Sequence, residues 1–212
     1  MLTIERAFPS RVAGVIRTEN PELAFQACLA AIEGGIGTVE VTTSVPSHFE
    51  IIQGLLASTG GSTPIGLGTV WDPGVVEEAK EAGAAFVVTP VLLPEVAEAA
   101  RKQDILCVMG ALTPSEIYSA RLTGAQLVKI FPIAAMGGVD YLRWLSGPMQ
   151  GVPFWVSGGV EIDHVEAYLK AGVKAVGLTT ALFPPDALER GDMDAITALA
   201  RKVAEKVGAV RA

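Results

Sequence analysis

Histidine and cysteine are scarce in this chain. His48 and His164 are the only histidines, and neither sits in a ligand-like spacing, so a metal-centred mechanism is not expected. Cys28 and Cys107 are far apart, with no CxxC pair, which suits a reducing cytosol and a cytoplasmic location. Long apolar runs are missing as well. Half of the residues are hydrophobic, yet no stretch approaches the roughly 18 unbroken apolar residues of a membrane span. The opening MLTIERAFPSR is charged from Glu5 onward and lacks an apolar core, which weighs against a signal peptide. There is no basic run and the formal net charge is −7, so neither nucleic acid nor an acidic membrane surface is an expected partner.

What the chain has instead is repetition. The segments EGGIGTVEV, EAGAAFVVT, LTGAQLVKI and KAGVKAVGL each close a helix-like stretch on a glycine and then open an apolar, strand-like run. Those glycines, Gly35, Gly83, Gly124 and Gly172, are spaced by 48, 41 and 48 residues. A glycine just past a helix takes the left-handed conformation that ends it, so a shared cap is expected at all four. Further strand candidates, RVAGVIR, TPIGLGTV, DILCVMG and VPFWVSGG, lie between the units. Helical patterns fill the intervals, at Pro21–Glu33, Pro46–Ala57, Pro73–Ala82, Pro94–Lys102, Pro114–Leu122 and Ile162–Lys170. Proline in the first turn of so many marks helix starts, because its missing N–H costs nothing there.

Eight short strands alternating with eight helices mean a parallel sheet covered by helices. An open doubly wound sheet shows the same alternation. The regular fourfold spacing favours closure, so the chain is expected to be α/β, one (β/α)8 TIM barrel over residues 1–212 with a short N-terminal helical segment.

Five residues past each cap glycine stand Glu40, Val88, Lys129 and Gly177. In a common register these belong to the second, fourth, sixth and eighth strands and form one inward layer of the barrel. Glu40 and Lys129 then face each other from opposite walls. Lys129 is the one lysine flanked on both sides by apolar strand residues. Lys80, Lys102, Lys170, Lys202 and Lys206 fall on amphipathic helices, and Lys174 lies beside Gly172 facing water. A buried ion pair contributes little to stability, so its presence points to chemistry. Burial disfavours an ammonium and leaves free amine to attack a carbonyl. The resulting imine is an electron sink, and a neighbouring carboxylate can shuttle protons for carbon–carbon cleavage. A metal-free aldolase is the expectation.

Barrel active sites lie at the C-terminal ends of the strands, which supply further candidates. Arg17 ends the first strand and suits a substrate carboxylate, though it equally fits an exposed loop arginine. Thr69 follows two glycines that admit a ligand to the backbone, or else marks an ordinary turn. Thr89, Pro90 and Gly110 end the fourth and fifth strands. Phe131 shares the face of Lys129, as pocket wall or as core packing. Ser157, Gly158 and Gly159 precede a helix and can cradle an anion, with Thr179 and Thr180 as hydroxyl donors.

At this point the chain resembles the 2-keto-3-deoxy-6-phosphogluconate (KDPG) / 4-hydroxy-2-oxoglutarate (KHG) aldolases, a family of class I lysine aldolases. The likeness spans nearly the whole sequence, in GGIGTVEVTTSVP, PIGLGTV, EAGAAFVVTP, GALTPSE, LVKIFPIAAMGG, WVSGGV and AVGLTTALF. It implies a Schiff base on Lys129 with pyruvate or a keto-acid, Glu40 as general acid/base, and Thr69 and Phe131 lining the pyruvate pocket. Ser157, Gly158, Gly159 and Thr180 match the phosphate end. No cofactor beyond the covalent imine is implied, and family members are homotrimers. Many carry an arginine four residues past the catalytic glutamate, where this chain has Ser44. Others have one ending the first strand, so Arg17 takes the carboxylate. Thr179 adds bulk where small residues are usual, which weighs against tight binding of a phosphorylated substrate. The competing expectations are a sugar-phosphate isomerase or epimerase and a non-catalytic subunit.

Overall fold

The computed structural model describes residues 2–211. Eight strands form, β1 (Val12–Ile16), β2 (Val39–Thr42), β3 (Ile65–Gly68), β4 (Phe86–Val88), β5 (Leu106–Ala111), β6 (Leu127–Ile130), β7 (Phe154–Val156) and β8 (Ala175–Leu178). They pair in chain order, all parallel, and β8 closes on β1 through Ala13 opposite Gly177. Every strand residue is buried, as expected when helices cover the outside and side chains fill the inside. The barrel is closed.

The helices are α1 (Ile4–Ala7), α2 (Pro21–Glu33), α3 (His48–Ser58), α4 (Val75–Glu81), α5 (Pro94–Lys102), α6 (Pro114–Leu122), α7 (Val139–Ser146), α8 (Val165–Lys170), α9 (Pro185–Arg190) and α10 (Met193–Arg211). That is two more than strict alternation gives. α1 precedes the barrel, and the last helical position is divided at Gly191, which bends back at φ 64°. The four repeat glycines hold φ between 81° and 101°, so the shared cap is real. After Gly35 and Gly83 the amides of Ile36 and Ala84 reach back to Ala31 and Ala79 at 3.1 and 2.9 Å.

Proline opens α2, α5 and α6 as the sequence suggests, but α3 and α4 begin two residues beyond Pro46 and Pro73. Ser47 is left-handed at φ 55°, which no helical turn accepts. Asp72 accepts the Gly74 N–H at 2.8 Å and folds Pro73 into a turn. The stretch Ile162–His164 is a 3₁₀ turn leading into α8.

Two apolar clusters result. The larger lies between the outward faces of the strands and the helices. The smaller fills the lower barrel, where Phe8, carried in by α1, plugs the base. Its ring meets Phe86 at 4.8 Å and Trp155 at 5.0 Å between centroids. Burying each such ring stabilises by about 1.5–3 kcal/mol. Glycine makes the room. A Cβ at Gly66 would overlap the Phe86 ring, and one at Gly177 would come within 2.6 Å of Trp155 Nε1. The lower interior is thus filled by side chains.

Candidate active site

Lys129 sits in β6 between Val128 and Ile130, whose side chains join the outer core. Alternation turns its own side chain inward, and it is 6% exposed. From the opposite wall, β2 sends in Glu40, which is fully buried. Lys129 Nζ and Glu40 Oε1 are 3.8 Å apart. The common register of the repeats does bring the pair together. Gly68 is what lets Glu40 lean to the axis, because a Cβ there would overlap its carboxyl group. Both Glu40 oxygens are buried without a hydrogen-bond partner. Burial pushes the Glu40 carboxyl above its ordinary value, with the charges of Lys129 and Arg17 pulling the other way. The amine also lies 5.5 Å from the Phe131 ring centroid and 5.6 Å from that of Trp155.

Above the pair opens a cavity of about 450 Å³, bounded by Val15, Arg17, Thr69, Trp71, Pro90, Phe131, Ser157 and Thr179. Arg17 extends from the end of β1 and donates to Ser44 Oγ at 3.3 Å and Thr69 Oγ1 at 3.0 Å. Ser44 Oγ lies 2.8 Å from Thr42 Oγ1, which donates to the Ile16 carbonyl at 3.0 Å. A hydroxyl chain therefore aims the guanidinium. Thr69 itself is left-handed at φ 59°, a costly conformation for a β-branched residue, and Thr43 Oγ1 holds its carbonyl at 2.8 Å. Ser44 thus supports the arginine that ends β1.

Phe131 is 40% exposed and forms a wall of the cavity, which decides against core packing. Pro90 lines the cavity too, whereas Thr89 and Gly110 do not. Thr89 Oγ1 ties the turn by donating to Val91 O at 2.7 Å and accepting from Gly110 N at 2.9 Å. Gly110 is small because the Pro90 backbone lies on it. Ser157 and Thr179 line the cavity, whereas Gly158, Gly159 and Thr180 do not, and Gly159 lines a separate hollow with Ala134 and Tyr168. Thr180 opens with Thr179 onto an adjoining hollow of about 280 Å³. Gly158 and Gly159 are left-handed at φ 89° and 74°, and a Cβ at either would press on Pro132 or Ala134. Among the described residues no three His, Cys, Asp or Glu side chains converge as a metal site.

Sequence reasoning missed Val15, Trp71 and Trp155. Val15 stands two residues before Arg17 and Trp155 two before Ser157, so alternation from those neighbours places both inward. Trp71 lies beyond the end of β3, on a loop with no periodic signal.

A family model described as "Aldolase: KDPG and KHG aldolase" matches residues 4–199. The 2-dehydro-3-deoxy-phosphogluconate aldolase of Dickeya dadantii (strain 3937) is 35% identical over 192 residues, covering 90% of this chain and 89% of that protein. The KHG/KDPG aldolase of Escherichia coli (strain K12) is 34% identical over 195 residues, covering 92% and 91%. A crystal structure of KDPG aldolase from Legionella pneumophila, with pyruvate captured as a covalent carbinolamine intermediate, superposes with a TM-score of 0.85. It shares 31% identity and covers 96% of this chain and 98% of that one. With an inward lysine facing a buried glutamate at the top of a closed barrel, and with these matches along nearly its whole length, the chain belongs to the KDPG and KHG aldolase family and is an aldolase, a lyase.

Proposed function

We propose that the protein reversibly cleaves 2-keto-3-deoxy-6-phosphogluconate to pyruvate and glyceraldehyde 3-phosphate, 4-hydroxy-2-oxoglutarate to pyruvate and glyoxylate, or both. The observation that carries this reading is the Lys129–Glu40 pair, 3.8 Å apart beneath an open cavity. Lys129 Nζ adds to the 2-keto carbon, and loss of water gives the imine. Glu40, the buried acid beside the nitrogen, delivers and removes the protons of that dehydration. Cleavage of C3–C4 leaves its electron pair in an enamine as the C4 hydroxyl gives up its proton and becomes the aldehyde. Protonation at C3 and hydrolysis return pyruvate and free lysine. No metal or other cofactor enters the scheme.

Arg17, held by Ser44 and Thr69, takes the keto-acid carboxylate in a two-pronged grip. Thr69, Pro90 and Phe131 enclose the pyruvate portion. A phosphate fits Ser157 and Thr180 hydroxyls with the amides of Gly158 and Gly159, and Thr179 narrows that end. The assembly is a homotrimer in this reading. Tyr118 and Leu122, one turn apart on α6, and Trp144 on α7 are 58%, 71% and 81% exposed, apolar surface of the kind that subunits cover. No helix among the described residues is long and apolar enough to cross a membrane. Two buried free thiols fit a cytoplasmic setting.

The test is pyruvate release from both keto-acids, followed with a coupled dehydrogenase. Turnover of at least one, lost in Lys129→Met, upholds the reading, and turnover of neither rejects it. The ratio of the two kcat/KM values fixes the preference for phosphate.

A further inference from the structure

The cavity over Lys129 has two limbs of different chemistry. Toward β7 and β8 it presents the hydroxyls of Ser157 and Thr179, while its apolar wall is Trp71 and Pro90, past the ends of β3 and β4, with Phe131 past the end of β6. Those same three side chains form the inner wall of a second hollow of about 350 Å³, completed by Val91, Leu92 and Leu112 among others. None of the described residues lining that hollow is a cation. Its one charged side chain, Glu116, is committed elsewhere. Its Oε2 accepts the Leu112 and Thr113 N–H groups at 2.9 and 2.8 Å as part of the α6 capping box, which holds its carboxyl below the usual range.

The surfaces facing this space are apolar and open to water, with Trp71, Val91 and Phe131 58%, 42% and 40% exposed. Contiguous exposed apolar surface that continues a reactive cavity marks a ligand subsite. The continuity is tight, since the Phe131 centroid is 5.5 Å from the nitrogen that bears the imine. A substituent on C4 of an imine-bound chain reaches that ring within a few bonds. An anionic substituent gains nothing there and meets the Glu116 carboxylate.

Resting on the aldolase reading above, we infer that this hollow receives the side chain of a second class of aldehyde, uncharged and apolar. The reaction is the one already written. A 4-hydroxy-2-oxo acid with an apolar group on C4 forms the imine on Lys129 and releases one water. C3–C4 then breaks, its electron pair passing into the enamine and the C4 hydroxyl proton passing to base as the apolar aldehyde forms. A proton adds at C3, and one water hydrolyses the imine to pyruvate.

The probe is 4-hydroxy-2-oxo-4-phenylbutanoate, assayed for pyruvate release beside 4-hydroxy-2-oxoglutarate and 2-keto-3-deoxy-6-phosphogluconate. Val91 is exposed and outside the catalytic cavity, so Val91→Asp places a carboxylate in the hollow without touching the machinery. The wild type is expected to cleave the phenyl compound, and Val91→Asp to lower its kcat/KM about tenfold or more while the anionic substrates change less than about twofold. Val91→Leu keeps the phenyl activity. Cleavage of an anionic substrate without any of the phenyl compound overturns this inference and leaves the aldolase reading standing. Failure on all three compounds overturns the aldolase reading itself. Sedimentation velocity is run on each variant. If Val91→Asp lowers the assembly mass and depresses all substrates alike, the hollow is covered by a second copy of the chain and the inference falls.

Discussion

The lower and upper halves of the barrel interior are built on opposite terms. Below, the rings of Phe8, Phe86 and Trp155 pack on one another beside Leu127, with almost nothing exposed and, among the described residues there, Trp155 Nε1 left unpaired. Above, the same alternation of inward side chains delivers an ion pair, a carboxylate with no hydrogen-bond partner and a threonine in a left-handed conformation. Glycine serves both halves differently. Gly66 and Gly177 yield to aromatic rings, whereas Gly68 yields to the Glu40 carboxyl group. Stability is concentrated in the floor, and strain and charge are concentrated in the reactive layer that the floor supports.

The largest break in that comparison is Lys129→Met. It is expected to lower kcat/KM by about 10³-fold or more while the melting temperature stays close to that of the wild type, because methionine retains the buried volume. Thermal unfolding beside pyruvate-release kinetics checks both halves of the statement. The reverse break is Phe8→Ala. Removing the plug should cost about 3–5 kcal/mol of stability in urea unfolding while the folded fraction keeps its kcat.

Glu40→Gln sits between the two. It should lower kcat by about 10²–10⁴-fold with a much smaller change in pyruvate binding. The acid limb of the wild-type kcat profile should lie above pH 4.5, the ordinary glutamate value, and vanish in the variant. Stability carries the matching sign. A carboxyl raised in the fold holds more protons folded than unfolded, so its contribution is complete below about pH 4.5 and is lost as pH climbs through the raised value. Denaturation midpoints from pH 4 to pH 7 should therefore shift in favour of Glu40→Gln relative to the wild type. The smallest effect is Ser44→Ala, which removes one of two hydroxyls that hold Arg17. It should raise KM about twofold to fivefold with kcat unchanged, as loss of one partly exposed hydrogen bond implies.

Much of this was legible in the sequence because one local rule repeats. Glycine past a helix fixes where the next strand begins, and counting forward five residues puts Glu40 and Lys129 in one layer. The same rule fails where another residue takes the glycine's place. At the end of α5, Asp104 is left-handed at φ 51°, and Ile105 reaches back to Ala100 at 3.0 Å, so this cap of the same kind carries no glycine signature. Contacts between distant segments were not legible either. Nothing local in Phe8 tells that α1 will insert it under Trp155. The Thr42–Ser44–Arg17–Thr69 chain joins three loops whose spacing carries no period. Pro46 and Pro73 misled because a left-handed Ser47 and the Asp72 turn delay the helices that follow.

The central claim is that the amine of Lys129 condenses with a keto-acid. Incubation with pyruvate and sodium borohydride, followed by digestion and peptide mass spectrometry, tests it most directly. The account predicts a reduced pyruvate adduct confined to the peptide bearing Lys129 and greatly diminished in Glu40→Gln. An unmodified Lys129, or an adduct borne by a solvent-facing lysine such as Lys174 instead, would contradict it.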